Sequence, residues 1–377
     1  MRSWILAVAA SVSAIGVVQA QDWNRPPAPR VNDGFAQDVR PVPNGGNPAF
    51  TPLPPQPPLD PTPNTPFGTC QPGCWRVHGW VGVDYLAYFP STQPVPTLVT
   101  ADAPGVAILI GGHVGYGLVS GFRIDAGFFL DSADLLAAQT IYDQLIRKTE
   151  TLALAGTVFL QTHIAGAPTP FAVTNLTFQT WTQFNNVEGL TLLRLWNTNT
   201  WRIYGIVGTK FMSLEEDVNL VYTAGAGPLF DEFHTRNVFY GVQAGLKMVR
   251  CSGPWEFDLS GKLALGGNYT NTMILGANTI NAPSQLLTND ANIGNFENTV
   301  FSVSPEINAN LTYYLSDRLS VRIGYNFLAY TNVQRPGSQI VPNIAPAFAA
   351  PHLQPAFPNV RETFVIHGLN LGAAFHY

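Results

Sequence analysis

From Cys70 onward, apolar and polar residues alternate one by one through much of the chain. Within 75–89, Val77, Val81, Val83, Tyr85 and Phe89 share one parity, and Arg76, His78, Asp84 and Tyr88 share the other. Trp255, Phe257, Leu259, Leu263 and Leu265 likewise oppose Glu256, Asp258, Ser260 and Lys262. Phe301, Val303, Ile307, Ala309, Leu311 and Tyr313 oppose Ser302, Ser304, Glu306, Asn308, Asn310 and Thr312. A period of two defines strands with two chemically different faces. Pro305 lies on the apolar side and predicts a local bulge, because proline gives the ladder no N–H.

Ten strands are predicted, at 75–89, 116–130, 135–147, 182–196, 201–214, 234–249, 255–274, 298–314, 318–330 and 362–377. Tight turns at 131–134, 197–200, 251–254 and 316–317 alternate with long connections at 90–115, 148–181, 215–233, 275–297 and 331–361. Transmembrane barrels show this segregation, with short turns on the periplasmic side and longer loops outside. In hydrocarbon every backbone polar group must be paired, which only helices and closed barrels achieve. The expected fold class is therefore all-β: a transmembrane antiparallel up-and-down β-barrel of about ten strands with an extended Pro-rich N-terminal arm. The 148–181 connection has room for a further hairpin, which would make twelve strands.

Composition agrees with a membrane barrel. Charged residues are 11% of the chain, against roughly 25% in soluble domains. Beyond the N-terminus there is no apolar run of about 18 residues to make a membrane helix. The net charge of −5 offers no basic footprint for nucleic acid.

The chain divides into three parts. Residues 1–20 read as a secretory signal peptide, with Arg2, a short apolar stretch and small residues ending at Ala20. An uncleaved anchor is the alternative. Residues 21–69 form a Pro-rich periplasmic linker, holding fourteen of the 31 prolines and no hydrophobic period. Such composition favours a stiff extended tether; cell-wall contact or a plug are the sharper readings. Residues 70–377 form the outer-membrane barrel.

The last strand ends on an aromatic residue. Asn370, Gly372, Phe375 and Tyr377 resemble the C-terminal sorting signal of bacterial outer-membrane proteins. That resemblance implies the barrel assembly machinery as a partner, outer-membrane lipid as surroundings, and localisation in the outer membrane after secretion through the inner one. "TRNVFYGVQAGL", "DLSGKLALG", "NIGNF" with "VSPEIN", "GYNFLAYTNVQRPGSQI" and "SGFR" resemble a planctomycete outer-membrane family, the beta-barrel porin family seven. This implies an integral barrel. It brings no settled substrate and no catalytic residues.

Parity sends Arg76, Asp84, Arg123, Asp125, Glu188, Arg194, Arg202, Lys210, Lys247, Glu256, Asp258, Lys262, Glu306 and Arg322 into the lumen. Two readings stay open for them: a ladder of paired charges filling a narrow barrel, or the wall of an aqueous pore. Ten strands lie near the filled end of the size range. The seven histidines show no ligand spacing, so no metal and no cofactor is expected. Among the cysteines, the "QPG" turn favours a Cys70–Cys74 disulfide with Cys251 free, and a Cys70–Cys251 bond through the flexible arm is the alternative. The functional reading is porin-like passage of small polar solutes. A closed structural or surface-interaction barrel is the alternative, and a barrel enzyme the third; no enzymatic activity is expected.

Overall fold

The computed structural model describes residues 78–377, apart from 102–107, 132–134, 161–162, 165–170, 199, 225–226, 279–286, 289–291, 342 and 345–355. The strands are β1 (Gly79–Pro90), β2 (Gln93–Thr100), β3 (Ile108–Val114), β4 (Val119–Phe129), β5 (Leu136–Leu160), β6 (His163–Ile164), β7 (Phe171–Asn197), β8 (Trp201–Ala224), β9 (Gly227–Ser252), β10 (Trp255–Asn278), β11 (Gly294–Tyr314), β12 (Leu319–Val333), β13 (Asn343–Ile344) and β14 (Glu362–His376).

Antiparallel pairing runs β5-β4-β1-β14-β12-β11-β10-β9-β8-β7 and returns from β7 to β5. These ten strands form a closed circuit without an edge, and they are the ten predicted. Two further strands join the same sheet as a branch: β2 and β3 form a hairpin that reaches β5 through Val99 and Thr100. The additional hairpin therefore arises from the first long connection, not from 148–181. That region instead lengthens β5 and β7 into one tall hairpin. β6 and β13 make a separate two-residue parallel pair.

The C-terminus is held on both sides. β14 pairs with β1 and with β12. At the rim the Tyr377 N–H donates to the Gly79 carbonyl at 3.0 Å, and Tyr377 O accepts from His78 at 2.6 Å. Pro305 makes no bulge: it pairs in register with Leu263, and the β11–β12 ladder begins one residue later, at Glu306. The missing N–H falls where no ladder bond is required on that side.

Around the lower half, outward residues are exposed and apolar, as at Val83, Ile124, Leu195, Val207, Leu246, Leu263, Ile307, Ile323 and Leu371. Roughly ten residues of a tilted strand cross a bilayer, so β1 with 12 residues fits and β7 with 27 extends well beyond it. Above the band the outward face becomes polar, with Arg236–Glu215 at 3.2 Å, Lys148–Glu150 at 3.2 Å and Asn271–Glu297 at 3.3 Å. The interior inverts in step. Inside the extramembrane part, Val95, Leu98, Val99 and Ile110 of the β2–β3 hairpin pack on Leu160, Leu176, Val218 and Leu220. Surrounded by water, that part buries apolar side chains as any soluble sheet does. Within the band the buried residues are largely charged and polar.

Candidate functional site: the barrel lumen

Three polar layers occupy the lumen, with a belt of buried apolar side chains, Leu86, Phe184, Met212, Leu214 and Phe239 among them, beneath the uppermost. The lowest is a cavity of about 190 Å³ near the turn rim, lined by Trp80, Tyr204 and Tyr314 with Asp125, Arg202, Lys247, Glu256, Asp258 and Arg322. Arg322 grips Asp84 through Nε at 2.6 Å and Nη2 at 2.8 Å, and reaches Asp125 with Nη1 at 3.0 Å. The Trp80 indole N–H and the Gln139 amide also donate to Asp125. Lys247 stands 3.7 Å from Asp258, and the Tyr314 hydroxyl donates to Glu256 at 3.2 Å.

Gly372 lies directly across from Asp84 and Arg322 in its two ladders. A Cβ there would overlap the Asp84 carboxylate and the Val83 carbonyl oxygen. The glycine of the terminal motif thus makes room for a buried ion pair. Gly372→Ala is expected to cost about 1–3 kcal/mol through overpacking, measured as an earlier heat-induced mobility shift of the folded barrel on a gel. An unchanged transition would contradict this packing role.

The middle layer is a crossed set of charges. Lys262 Nζ donates to Glu188 at 2.5 Å and lies 2.9 Å from Glu306. Lys210 lies 3.3 Å from Glu188 and bonds Glu306 closely. All four side chains are 0–5% exposed. Beside them Arg123 makes a two-pronged bond to Asp143 at 2.6 and 3.0 Å and donates to Asn326 at 3.1 Å. Burial of so much charge is tolerable because each charged group meets its opposite.

The upper layer is a segment folded inward after β12. Pro336–Gln339 form a short 3-10 turn. Just before it, Arg335 is 1% exposed and clasps Glu216 with bonds of 2.8 and 2.7 Å. Its remaining nitrogen donates to the Thr92 carbonyl at 2.8 Å. Gln334 exchanges two 2.8 Å bonds with Asn237. Together with the β2–β3 hairpin this segment closes the barrel interior above the charge layer.

Near the loop rim, Asp231 is fully buried. It accepts 2.6 Å bonds from Tyr222 and from Thr288 of the β10–β11 connection. Burial raises its pKa to about 6, against the pull of these donors and of the Leu287 and Thr288 backbone. A carboxyl raised on folding contributes its stability fully at low pH and loses it as the pH climbs through about 6. Asp231→Asn is therefore expected to flatten the stability profile between about pH 4 and 6.5, gaining roughly 1–3 kcal/mol at the upper end. Equal pH profiles for the two proteins would contradict the assignment.

The charges named from parity fall as follows. Asp84, Arg123, Asp125, Glu188, Lys210, Asp258, Lys262 and Glu306 are buried inside. Arg202, Lys247, Glu256 and Arg322 line the lower cavity. Arg194 is half-buried beside a register shift near the turn rim. Arg76 lies outside the described residues. Asp143, Glu216 and Arg335 belong to the same system and were absent from the parity set. Of the terminal motif, Asn370 is buried against Asn326, whereas Phe375 and Tyr377 point outward and exposed.

Cys251 is disulfide-bonded, which corrects the expectation of a free thiol there. Cys70 and Cys74 lie outside the described residues. Among the described residues no group of His, Cys, Asp or Glu is placed to hold a metal ion.

Residues 80–377 match the protein family described as "Putative beta barrel porin-7 (BBP7)". The chain belongs to this family. It is an integral, porin-like outer-membrane β-barrel. No curated protein matches the chain. Among solved structures it is similar to the outer membrane protease OmpT of Escherichia coli, at 8% identity over 80% of this chain and 97% of that one, with a TM-score of 0.42. A Pseudomonas aeruginosa FadL homologue matches at 8% identity, 79% and 89% coverage, and TM-score 0.22. The Pseudomonas putida toluene transporter TodX matches at 6% identity, 80% and 89% coverage, and TM-score 0.21.

Proposed function

We propose that this barrel is a narrow gated porin, in which small polar solutes pass once the segment around Arg335 leaves the lumen. The observation carrying this reading is that the segment's hydrogen-bonded hold on the wall is polar, led by the Arg335–Glu216 clasp, while Ile340 packs with Val95 in the apolar cluster. Such polar contacts are replaceable by water, whereas an apolar plug would have no substitute partner. Below it lies a belt of buried apolar side chains that includes Leu86, Phe184, Met212, Leu214 and Phe239, and beneath that belt the interior is lined by charge and amide groups, which suit polar cargo. Family membership supports a barrel that performs no chemistry. Liposomes carrying the refolded full-length protein are expected to admit small neutral polar solutes slowly, and several-fold faster with Arg335→Ala. Equal impermeability of both would favour the closed structural barrel, for which the near-complete burial of Lys210, Lys262, Glu188 and Glu306 speaks.

On this reading the signal at 1–20 directs export through the inner membrane. The Asn370, Gly372, Phe375 and Tyr377 motif then engages the assembly machinery, and the 21–69 arm extends into the periplasm toward the cell wall. Deleting residues 375–377 removes the Tyr377 rim bonds and the last two ladder pairs that join β14 to β1, Val81 with Phe375 and Trp80 with His376. The truncated chain is expected to be lost from the outer membrane fraction. Normal amounts there would refute the sorting role.

A further inference from the structure

The lower cavity has two unlike walls. Trp80 of β1, Phe129 of β4, Ala137 of β5 and Leu192 of β7 line it from one arc of the ten-strand circuit. The Trp80 and Phe129 rings lie 5.8 Å apart and pack against the apolar cluster that holds Ala137 and Leu192. Lys247 of β9, Asp258 of β10 and Thr312 of β11 line the cavity from the opposite arc. Apolar side chains gain nothing by facing water. An apolar wall on a cavity inside a lipid-surrounded barrel suits a ligand with an apolar part.

The polar wall has hydrogen-bonding capacity to spare. Lys247 Nζ stands 3.7 Å from Asp258 Oδ1, beyond hydrogen-bond reach. Among the described residues its ammonium has no acceptor. Tyr204 is the direct ladder partner of Lys247 and lines the same cavity, and among the described residues its hydroxyl has no partner either. Asp258 Oδ1 accepts one bond, from Asn310 at 3.1 Å, and no described residue donates to Oδ2. An ammonium offers three donors and a phenol one, so donors for a carboxylate stand beside an acceptor for a cationic group. Charge around the cavity is balanced, with Asp125, Glu256 and Asp258 against Arg202, Lys247 and Arg322. A ligand of either net charge would upset that balance, whereas one carrying both signs preserves it.

We propose that the lower cavity binds a small zwitterion with an apolar tail, of the class of α-amino acids with apolar side chains. Its carboxylate accepts from Lys247 and Tyr204, and its ammonium donates to Asp258. Its side chain lies against Trp80, Phe129, Ala137 and Leu192. The volume of about 190 Å³ suits this size, since a cavity of about 150 Å³ holds benzene. The binding stands whether or not the barrel conducts.

The test is calorimetric titration of refolded full-length protein in a nonionic detergent with L-leucine at neutral pH. Saturable binding of one leucine per chain is expected. Isopentylamine lacks the carboxylate and 4-methylpentanoate lacks the ammonium; each should bind roughly 10-fold more weakly or worse. Lys247→Met should weaken leucine binding roughly 10–100-fold, the loss of a charge-assisted hydrogen bond. Tyr204→Phe removes a single oxygen and should weaken it roughly 2–10-fold; it decides the matter if the first variant fails to fold. Absence of saturable binding would overturn the site and leave the cavity to water. Unchanged affinity in the folded variants would put leucine elsewhere and overturn it equally. Binding of 4-methylpentanoate as tight as that of leucine would overturn the zwitterion and the role of Asp258. Leucine binding by a protein whose liposomes stay impermeable would uphold the site and count against passage instead.

Discussion

Replacing Lys262 by methionine is expected to destabilise the folded barrel by about 3–5 kcal/mol, the cost of leaving buried carboxylates uncompensated. Lys262 touches Glu188 and Glu306 together, at 2.5 and 2.9 Å, and none of the three side chains is more than 5% exposed. Lys210 alone would then face both carboxylates. The change should appear as a lower midpoint in urea unfolding from detergent or lipid. The double variant Lys262→Met with Glu306→Gln should recover much of the loss, since it removes a charge of each sign. A loss below about 1 kcal/mol is what surface pairs show. It would mean that water reaches this layer freely.

Arg335→Ala should be of similar size, about 3–5 kcal/mol, because Glu216 is fully buried and would lose its cationic partner. Its effect should be local. Arg335 anchors the inward segment against Glu216 and the Thr92 carbonyl, and the ten-strand ladder does not pass through it. Hydrogen exchange should therefore rise in 334–340 and in β2 before it rises in β1 or β14. Uniform loosening of all strands would show that Arg335 supports the barrel itself and not a detachable segment.

The barrel was legible because lipid forces a simple code. Where the outside is hydrocarbon, each strand needs apolar residues outward and can place charge inward, so Asp84, Lys262 and Glu306 follow from parity alone. The code fails where the surroundings change. β5 and β7 continue above the bilayer, where the outward face turns polar and the interior apolar, and this extension was read as loop. β2 and β3 were missed for the same reason: Val95, Leu98 and Val99 serve a water-surrounded core. Asp143 escaped because both faces of lower β5 are mixed: Gln139, Ile141 and Asp143 on one, Leu136, Thr140 and Gln144 on the other. Counting outward from the 131–134 turn would have found it, since Arg123 and Asp143 are direct ladder partners. Arg335 had no such route. It lies in an irregular segment, and nothing periodic states that a loop folds inward.

The expectation of a free Cys251 was not met. The "QPG" spacing suggested a short loop closure, but Cys251 in the β9–β10 turn region is itself bonded.

Single-channel recording on the refolded full-length protein, beside Arg335→Ala in the same lipid, bears most directly on whether this barrel is a porin held shut by its own inward segment. Discrete current steps are predicted for both proteins: rare in the native sequence, and several-fold more frequent or longer-lived in the variant. Silence from both, with each shown to be folded and inserted, would contradict the gated-porin account and leave a sealed barrel.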